Sequence, residues 1–201
     1  MKKLLLLLML FVAPAQAGNG APVVMILGDS LSAAYGIPYD SGWVGLLQAR
    51  LTERGRPHRV VNASISGDTT RGALARLPAA LERHRPSVLV IELGGNDGLR
   101  GIDAAEMRAN LRRMVELGRA SGARVLLLGM LLPPNYGKAF VERFHRVYHE
   151  VAEEMRVPLH PFFLEGVAED RMLMQNDGIH PTAEAQPRLL DNVWPVLEPL
   201  L

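Results

Sequence analysis

Runs of apolar residues alternate with helix-periodic segments along most of the chain. The apolar runs predict buried strands at residues 23–27, 59–63, 88–93 and 124–132, the last including the strand's exit, and a short fifth strand at 157–159. Uniformly apolar strands separated by helices are typical of a parallel sheet that is covered on both faces. We therefore predict an α/β fold whose central parallel sheet has about five strands.

The segments between these runs predict helices at residues 42–54, 71–85, 138–156 and 182–197, where apolar positions recur at helical spacing. A further helix is expected up to residue 120, with Asp103 as its N-cap. Two prolines disturb this pattern. Pro78 is expected to kink or split the second helix, and Pro187 is expected to bend the last one.

The first residues have the pattern of a secretory signal peptide. Lys2 and Lys3 precede the ten apolar residues 4–13, and Ala15-Gln16-Ala17 forms a small-x-small cleavage site. Ten residues are too few for a transmembrane helix, which needs roughly 20. We predict cleavage after Ala17, export to the periplasm or beyond, no stable membrane anchor and one domain over residues 18–201. A retained anchor is the alternative.

Charge and cysteine content narrow the classes of partner. Without Lys2 and Lys3 the chain has 20 basic and 21 acidic residues, which gives no charge excess for binding nucleic acid or an anionic membrane. The chain contains no cysteine, so the fold must be held by packing alone. We expect a monomer that acts on small molecules.

Four polar loops contain the residues that could perform chemistry, and three of these loops follow predicted strands. The carboxyl ends of parallel strands meet at one edge of the sheet, so residues distant in sequence can share a pocket there. Acyl transfer requires a nucleophile, a base, a group that orients the base and donors for the oxyanion. One candidate for each role is present: Ser30 as nucleophile, His180 as base, Asp177 as its orienting carboxylate, and the Ser30 N–H, the Gly67 N–H and the Asn96 side-chain amide as oxyanion donors.

Each of these residues has a simpler interpretation when taken alone. Ser30, Asn96 and Asp177 are typical of turns or helix caps, Gly67 of a turn with positive φ, and His180 of a solvated loop. Together, however, the blocks Gly28-Asp29-Ser30-Leu31-Ser32, Gly67, Gly94-Gly95-Asn96-Asp97 and Asp177-x-x-His180 resemble, in order and position, the four sequence blocks of the SGNH (GDSL) hydrolases.

Longer segments narrow this resemblance. Residues 65–70, 92–101 and 134–137 resemble the periplasmic bacterial branch of the family, described as multifunctional thioesterase, protease, lysophospholipase and arylesterase. The resemblance implies a three-layer α/β/α flavodoxin-like fold, hydrolysis of acyl esters and thioesters, lysophospholipids among the candidate substrates, and no metal or cofactor. The Gly-x-Ser-x-Gly elbow expected of α/β-hydrolases does not occur in the sequence.

Residues at the exit of the fourth strand are candidates for an acyl-binding groove. They are Met130, Leu131, Leu132, Pro133 and Tyr136, and core packing is the alternative for the first three. The Pro133-Pro134 pair stiffens this loop while Gly137 could hinge it, which suggests a loop 131–137 that moves over bound acyl chains.

Other functions have weaker support. His145, His149 and His160 could form a metal site, but no His-Glu-x-x-His motif is present. Neither a Gly-x-Gly-x-x-Gly motif nor a phosphate-binding loop occurs, which disfavours nucleotide binding. Two alternatives to a lipid hydrolase stay open: a carbohydrate O-acetylesterase that uses the same blocks, and a non-catalytic module that binds acyl chains or glycans.

Overall fold

The structure is a computed structural model that describes residues 20–201. Five parallel strands form its sheet: β1 (Val23–Gly28), β2 (Arg59–Asn62), β3 (Val88–Glu92), β4 (Arg124–Leu128) and β5 (Leu159–His160). All residues of β1 and β3 are buried, as their apolar sequences require. The predicted α/β class with a central parallel sheet is confirmed.

The order of the strands across the sheet places the candidate site. The order is β2-β1-β3-β4-β5, so the chain moves in one direction from β1 to β2 and in the other direction from β3 onwards. In sheets of this order, ligands bind beyond the carboxyl ends of the two strands where the direction reverses. Here those strands are β1 and β3, which pair from Val24↔Val88 to Gly28↔Glu92. The segments that contain Ser30 and Asn96 begin at these ends.

Residues 20–201 contain six α-helices, namely α1 (Trp43–Glu53), α2 (Thr70–His84), α3 (Gly95–Leu99), α4 (Ala104–Ala120), α5 (Lys138–Met155) and α6 (Gln186–Leu197). Helix α1 packs on α6, whereas α2, α4 and α5 pack side by side. Right-handed crossovers put these two groups on opposite faces, because the direction of travel reverses between them. The result is the expected three-layer arrangement.

The helices differ from their predicted bounds in ways that have physical reasons. Helix α2 continues through Pro78 without interruption, because Pro78 is on its exposed side, where water can hydrate the carbonyl that loses its partner. Helix α6 begins at Gln186 rather than near residue 182. Pro187 therefore lies in its first turn, where a missing N–H breaks no helical hydrogen bond, and no bend is needed.

Two further predictions about elements need correction. The fifth strand is Leu159–His160 rather than residues 157–159, since only these two residues pair with β4. The Gly94–Gly98 segment was predicted as a loop, but residues Gly95–Leu99 form the short helix α3. The expected signal peptide lies outside the described residues. Within residues 20–201 no helix has both the length and the apolar character needed to cross a bilayer.

Candidate active site

Ser30 lies two residues after the end of β1, in a turn whose backbone and side chains contact Glu92. The backbone N–H of Asp29 donates to Glu92 Oε2 at 3.4 Å, and the Ser32 hydroxyl donates to the same oxygen at 2.6 Å. The approach is so close that a Cβ on Gly28 would lie 2.7 Å from Ser32 Oγ and 2.8 Å from Glu92 Oε2. A residue with a side chain therefore does not fit at position 28, which explains the glycine two residues before Ser30.

Glu92 is the carboxyl group that interrupts an otherwise apolar strand in the sequence. It is fully buried, and its Oε1 has no hydrogen-bond partner among residues 20–201. Burial, and then the neighbouring Asp29 carboxylate, raise the pKa of Glu92 well above its usual value. Burial thus favours the neutral form of Glu92 at the base of the turn. Ser32 Oγ also accepts a hydrogen bond there from the indole N–H of Trp43 at 3.1 Å.

Glu92→Gln is expected to flatten the dependence of stability on pH. Native Glu92 keeps its proton above about pH 4.5, where the unfolded chain releases it, so the free energy of unfolding falls as the pH rises through this range. Glutamine is neutral at every pH and removes this contribution. Urea midpoints at about pH 5 and about pH 8 should differ less in the variant than in the wild type. The exposed Glu82→Gln on α2 is the control, and equal differences in both variants would contradict a buried neutral Glu92.

Ser30, His180 and Asp177 are brought together at the carboxyl edge of the sheet, although 150 residues separate Ser30 from His180. His180 Nε2 lies 2.9 Å from Ser30 Oγ, and His180 Nδ1 lies 2.6 Å from Asp177 Oδ2. With the proton on Nδ1 directed at the carboxylate, Nε2 is free to accept the hydroxyl proton of Ser30. The geometry is that of a nucleophile, a base and an orienting acid.

The loop that contains Asp177 and His180 is held at both ends. Met174 and Pro181 form an antiparallel bridge, and the Gln175 N–H donates to the His180 carbonyl at 2.7 Å. The Gln175 side-chain amide also donates to the Tyr35 carbonyl at 2.9 Å, which joins this loop to the segment that follows Ser30. The Tyr35 ring packs against the imidazole of His180 at 4.4 Å between centroids.

Asp177 is held in its ionised form by hydrogen bonds. Desolvation opposes its ionisation, but the N–H and imidazole of His180 and the N–H of Ile179 outweigh it and lower the pKa of Asp177 to about 2. The two backbone donors lie 3.0 and 2.9 Å from Oδ1, so Oδ2 stays available to the imidazole. Asp177 therefore carries a negative charge at neutral pH, as an orienting carboxylate requires.

Asn96 lies in the first turn of α3, and its side chain is oriented by Asp29. Asn96 Nδ2 donates to Asp29 Oδ2 at 2.9 Å, while Asp29 Oδ1 accepts the N–H of Leu31 at 3.1 Å. Burial raises the pKa of Asp29 to about 6, against the opposing effect of these two hydrogen bonds. One hydrogen of the Asn96 amide is used by Asp29, which leaves the other for an oxyanion.

Gly67 lies in the segment between β2 and α2, at the same edge of the sheet. It has a φ of +78°, and its carbonyl accepts a hydrogen bond from Arg100 Nη2 at 2.8 Å. The segment is also joined to α3 through Thr70, whose N–H and hydroxyl both donate to the buried carboxylate of Asp97. Asp97 thus caps the first turn of α2 although it lies in α3.

An apolar cavity of about 520 Å³ adjoins Ser30 and His180. Met130, Leu131, Leu132 and Pro133 line it, as the sequence suggested, and the exit of β4 therefore faces the cavity. Tyr136 is not among the lining residues. It lies in a short 3-10 turn, Pro134–Tyr136, where its ring stacks beside Phe140 and its hydroxyl is 3.4 Å from the Leu99 carbonyl. Gly67 does not line the cavity either.

The three candidate metal ligands do not form one cluster. His149 Nε2 lies 3.2 Å from His145 Nε2, and His145 Nδ1 lies 3.1 Å from the Met130 carbonyl. His160 does not join this pair, and no group of three or more potential ligands occurs within residues 20–201.

Sequence reasoning missed the functions of three carboxyl groups around the site. Asp29 contacts Asn96 across 67 positions of the chain, and Glu92 contacts Ser32 across 60. The available signal was burial, because a carboxylate beside or within an apolar strand needs a partner. Asp97 gave no such signal, since it follows two glycines in an apparent turn.

Comparison with known proteins agrees with this fold and identifies the family. The sequence profile of the GDSL-like lipase/acylhydrolase family matches residues 26–187. The esterase TesA of Pseudomonas aeruginosa is 58% identical over 181 residues, which cover 90% of each chain. The thioesterase 1/protease 1/lysophospholipase L1 of Escherichia coli K12 is 44% identical over 181 residues, covering 90% of this chain and 86% of that protein. A crystal structure of TesA superposes with a TM-score of 0.88 at 57% identity, covering 89% of this chain and 99% of the other.

The chain therefore belongs to the GDSL-like lipase/acylhydrolase family. It is an ester and thioester hydrolase of the GDSL type.

Proposed function

We propose that the protein is an exported serine hydrolase that releases fatty acyl groups from esters and thioesters through an acyl-enzyme on Ser30. The proposal rests on one observation above all: the Ser30–His180–Asp177 relay adjoins an apolar cavity of about 520 Å³. A relay alone supports hydrolysis of many esters. The cavity is apolar where the acyl group of a substrate attached to Ser30 would lie, which favours long acyl chains.

In the first half of the reaction, Ser30 Oγ attacks the acyl carbonyl while His180 Nε2 takes the hydroxyl proton. The carbonyl oxygen becomes an oxyanion, which the Asn96 amide and the N–H groups of Ser30 and Gly67 stabilise. His180 then gives its proton to the departing thiol or alcohol, and the acyl group stays on Ser30. Asp177 stabilises the imidazolium that exists between these two transfers.

The second half repeats these steps with water as the nucleophile. His180 removes a proton from water, the hydroxide attacks the acyl-enzyme, and the same donors stabilise the second oxyanion. Collapse of this intermediate expels Ser30 Oγ, which recovers its proton from His180. The products are the free carboxylic acid and the regenerated serine, so no cofactor is consumed.

Hydrolysis of p-nitrophenyl esters of increasing acyl length tests the substrate class. We expect kcat/KM to rise from the acetyl to the octanoyl ester by roughly tenfold or more, because each buried methylene contributes about 0.8 kcal/mol before the costs of ordering the chain. Matched thioesters and lysophospholipids would then rank the leaving groups. A preference for acetyl esters would instead favour a carbohydrate O-acetylesterase and would contradict the acyl cavity.

Export and the monomeric state are part of the same proposal. The pattern of residues 2–17 supports a cleaved signal peptide, and the mass of the secreted protein should correspond to a chain that begins at Gly18. A mass that includes residues 1–17 would contradict cleavage.

A further inference from the structure

The exposed large apolar side chains of the described residues are confined to a few segments of the chain. There are seven within residues 20–201, and all seven lie in segments that follow a strand at the carboxyl edge of the sheet. The segment after β1 contains Tyr35 and Tyr39, and the segment after β2 contains Ile65. By contrast, none is found on the outer faces of the helices or in the turns at the amino edge of the sheet within those residues.

The other four lie in two further segments at the same edge of the sheet. The segment after β4 contains Leu131 and Tyr136, and the segment between β5 and α6 contains Met172 and Ile179. Leu131 and Ile179 are exposed and also line the cavity, so the exposed surface is continuous with the proposed acyl site. We call these seven side chains the apolar rim.

Single exposed apolar residues are normal, but their restriction to one edge is not. Met172 is the extreme case, with 83% of its surface exposed, and Tyr39 follows with 57%. Neither lines the cavity or contacts the Ser30–His180–Asp177 relay, so binding of a single substrate molecule in the cavity does not explain them. A partner larger than one acyl chain explains the exposure of these two side chains.

We propose that the apolar rim docks the protein reversibly on a lipid surface, with the cavity opening towards the acyl chains of that surface. The inference rests on the proposed function, since it supplies the route by which an acyl ester embedded in lipid reaches Ser30. Residues 18–201 have 20 basic and 21 acidic residues, and this near balance favours an uncharged or zwitterionic surface over an anionic one. Tyrosine rings suit this position because they place an apolar body and a polar hydroxyl at the boundary with water.

Sedimentation with phosphatidylcholine vesicles tests the proposal. The wild-type protein should partition onto the vesicles with little dependence on salt, because the attraction is apolar rather than ionic. The double variant Tyr39→Ser/Met172→Ser should have a partition coefficient lower by about tenfold, since two inserted apolar side chains are lost. The matched variant Tyr39→Phe/Met172→Leu keeps the apolar character and should partition like the wild type. Glu82→Ser, at the other edge of the sheet, should do so as well.

Three results would overturn the proposal. The first is a wild-type protein that stays in the supernatant, and the second is equal partitioning of the two double variants. The third is a concentration-dependent dimer that the serine variant abolishes while vesicle binding is absent, because the rim would then be the contact between two copies of this chain.

Hydrolysis of a soluble butyryl ester separates this inference from the proposed function. All variants should retain the wild-type kcat on that substrate, while only the serine variant loses rate on lysophospholipid presented in vesicles. A wild-type protein that does not hydrolyse the soluble ester would refute the proposed acyl-enzyme on Ser30. Vesicle binding would still show whether the apolar rim docks on lipid.

Discussion

Ser30→Ala is expected to reduce kcat on any ester or thioester substrate by roughly 10⁴-fold or more, with folding unchanged. The reason is that Ser30 Oγ is the only nucleophile that His180 Nε2 contacts, at 2.9 Å, among residues 20–201. The residual rate would come from oxyanion stabilisation and substrate binding, which the substitution leaves in place. Initial rates with a butyryl ester, compared with thermal unfolding of the same preparation, measure both quantities.

The exposed hydroxyl of Ser66, at the same edge of the sheet, offers a matched control. Ser66→Ala should retain the wild-type rate, because its hydroxyl is not part of the relay. A Ser30→Ala protein that hydrolyses at the wild-type rate would eliminate Ser30 as the nucleophile. A variant that is inactive and also unfolded would instead show that the turn above Glu92 needs the hydroxyl.

Asn96→Ala has the second largest expected effect, a loss of about 10² to 10³ in kcat with little change in KM. The amide of Asn96 is oriented by Asp29, which uses one of its hydrogens, and we expect the other to donate to the oxyanion. An interaction made mainly in the transition state lowers kcat rather than substrate affinity. Full kinetics with one thioester and one aryl ester would reveal this pattern.

Asn135→Ala is the control for this substitution, because Asn135 is exposed and does not line the cavity. It should leave both kinetic constants unchanged. A rise in KM at constant kcat for Asn96→Ala would indicate that Asn96 binds the ground state of the substrate. Its role as an oxyanion donor would then be rejected.

The strands were predictable because each has a strong local signal. The site residues were inferred from their combination, since each has a simpler interpretation when taken alone. A strand such as Val23–Gly28 is buried on both faces, so its sequence is apolar throughout, and the residue after it must lie at the edge of the sheet. The compact Asp177-x-x-His180 spacing lets one loop position both residues, as the 2.6 Å contact shows. These features depend on short segments and could be inferred without knowledge of the packing.

What could not be predicted depends on contacts between distant segments. The Asp29–Asn96 and Asp97–Thr70 hydrogen bonds exist only because β1, β2 and β3 end side by side. Tyr136 was assigned to the acyl groove from its position after β4, but a turn of three residues directs it towards Leu99 instead. The short helix α3 has two glycines within its sequence, Gly95 and Gly98, and is therefore stabilised by its surroundings rather than by intrinsic propensity.

Covalent labelling with a fluorophosphonate tests the central claim most directly. The reagent reacts with an activated serine and leaves a tetrahedral phosphonyl group on its oxygen, so it reports the nucleophile, its base and the oxyanion donors together. Peptide mass spectrometry should find one phosphonyl group per chain, located on Ser30, with loss of hydrolysis in proportion to labelling. A label on another residue, or a protein fully labelled on Ser30 that still hydrolyses esters, would contradict an acyl-enzyme on Ser30.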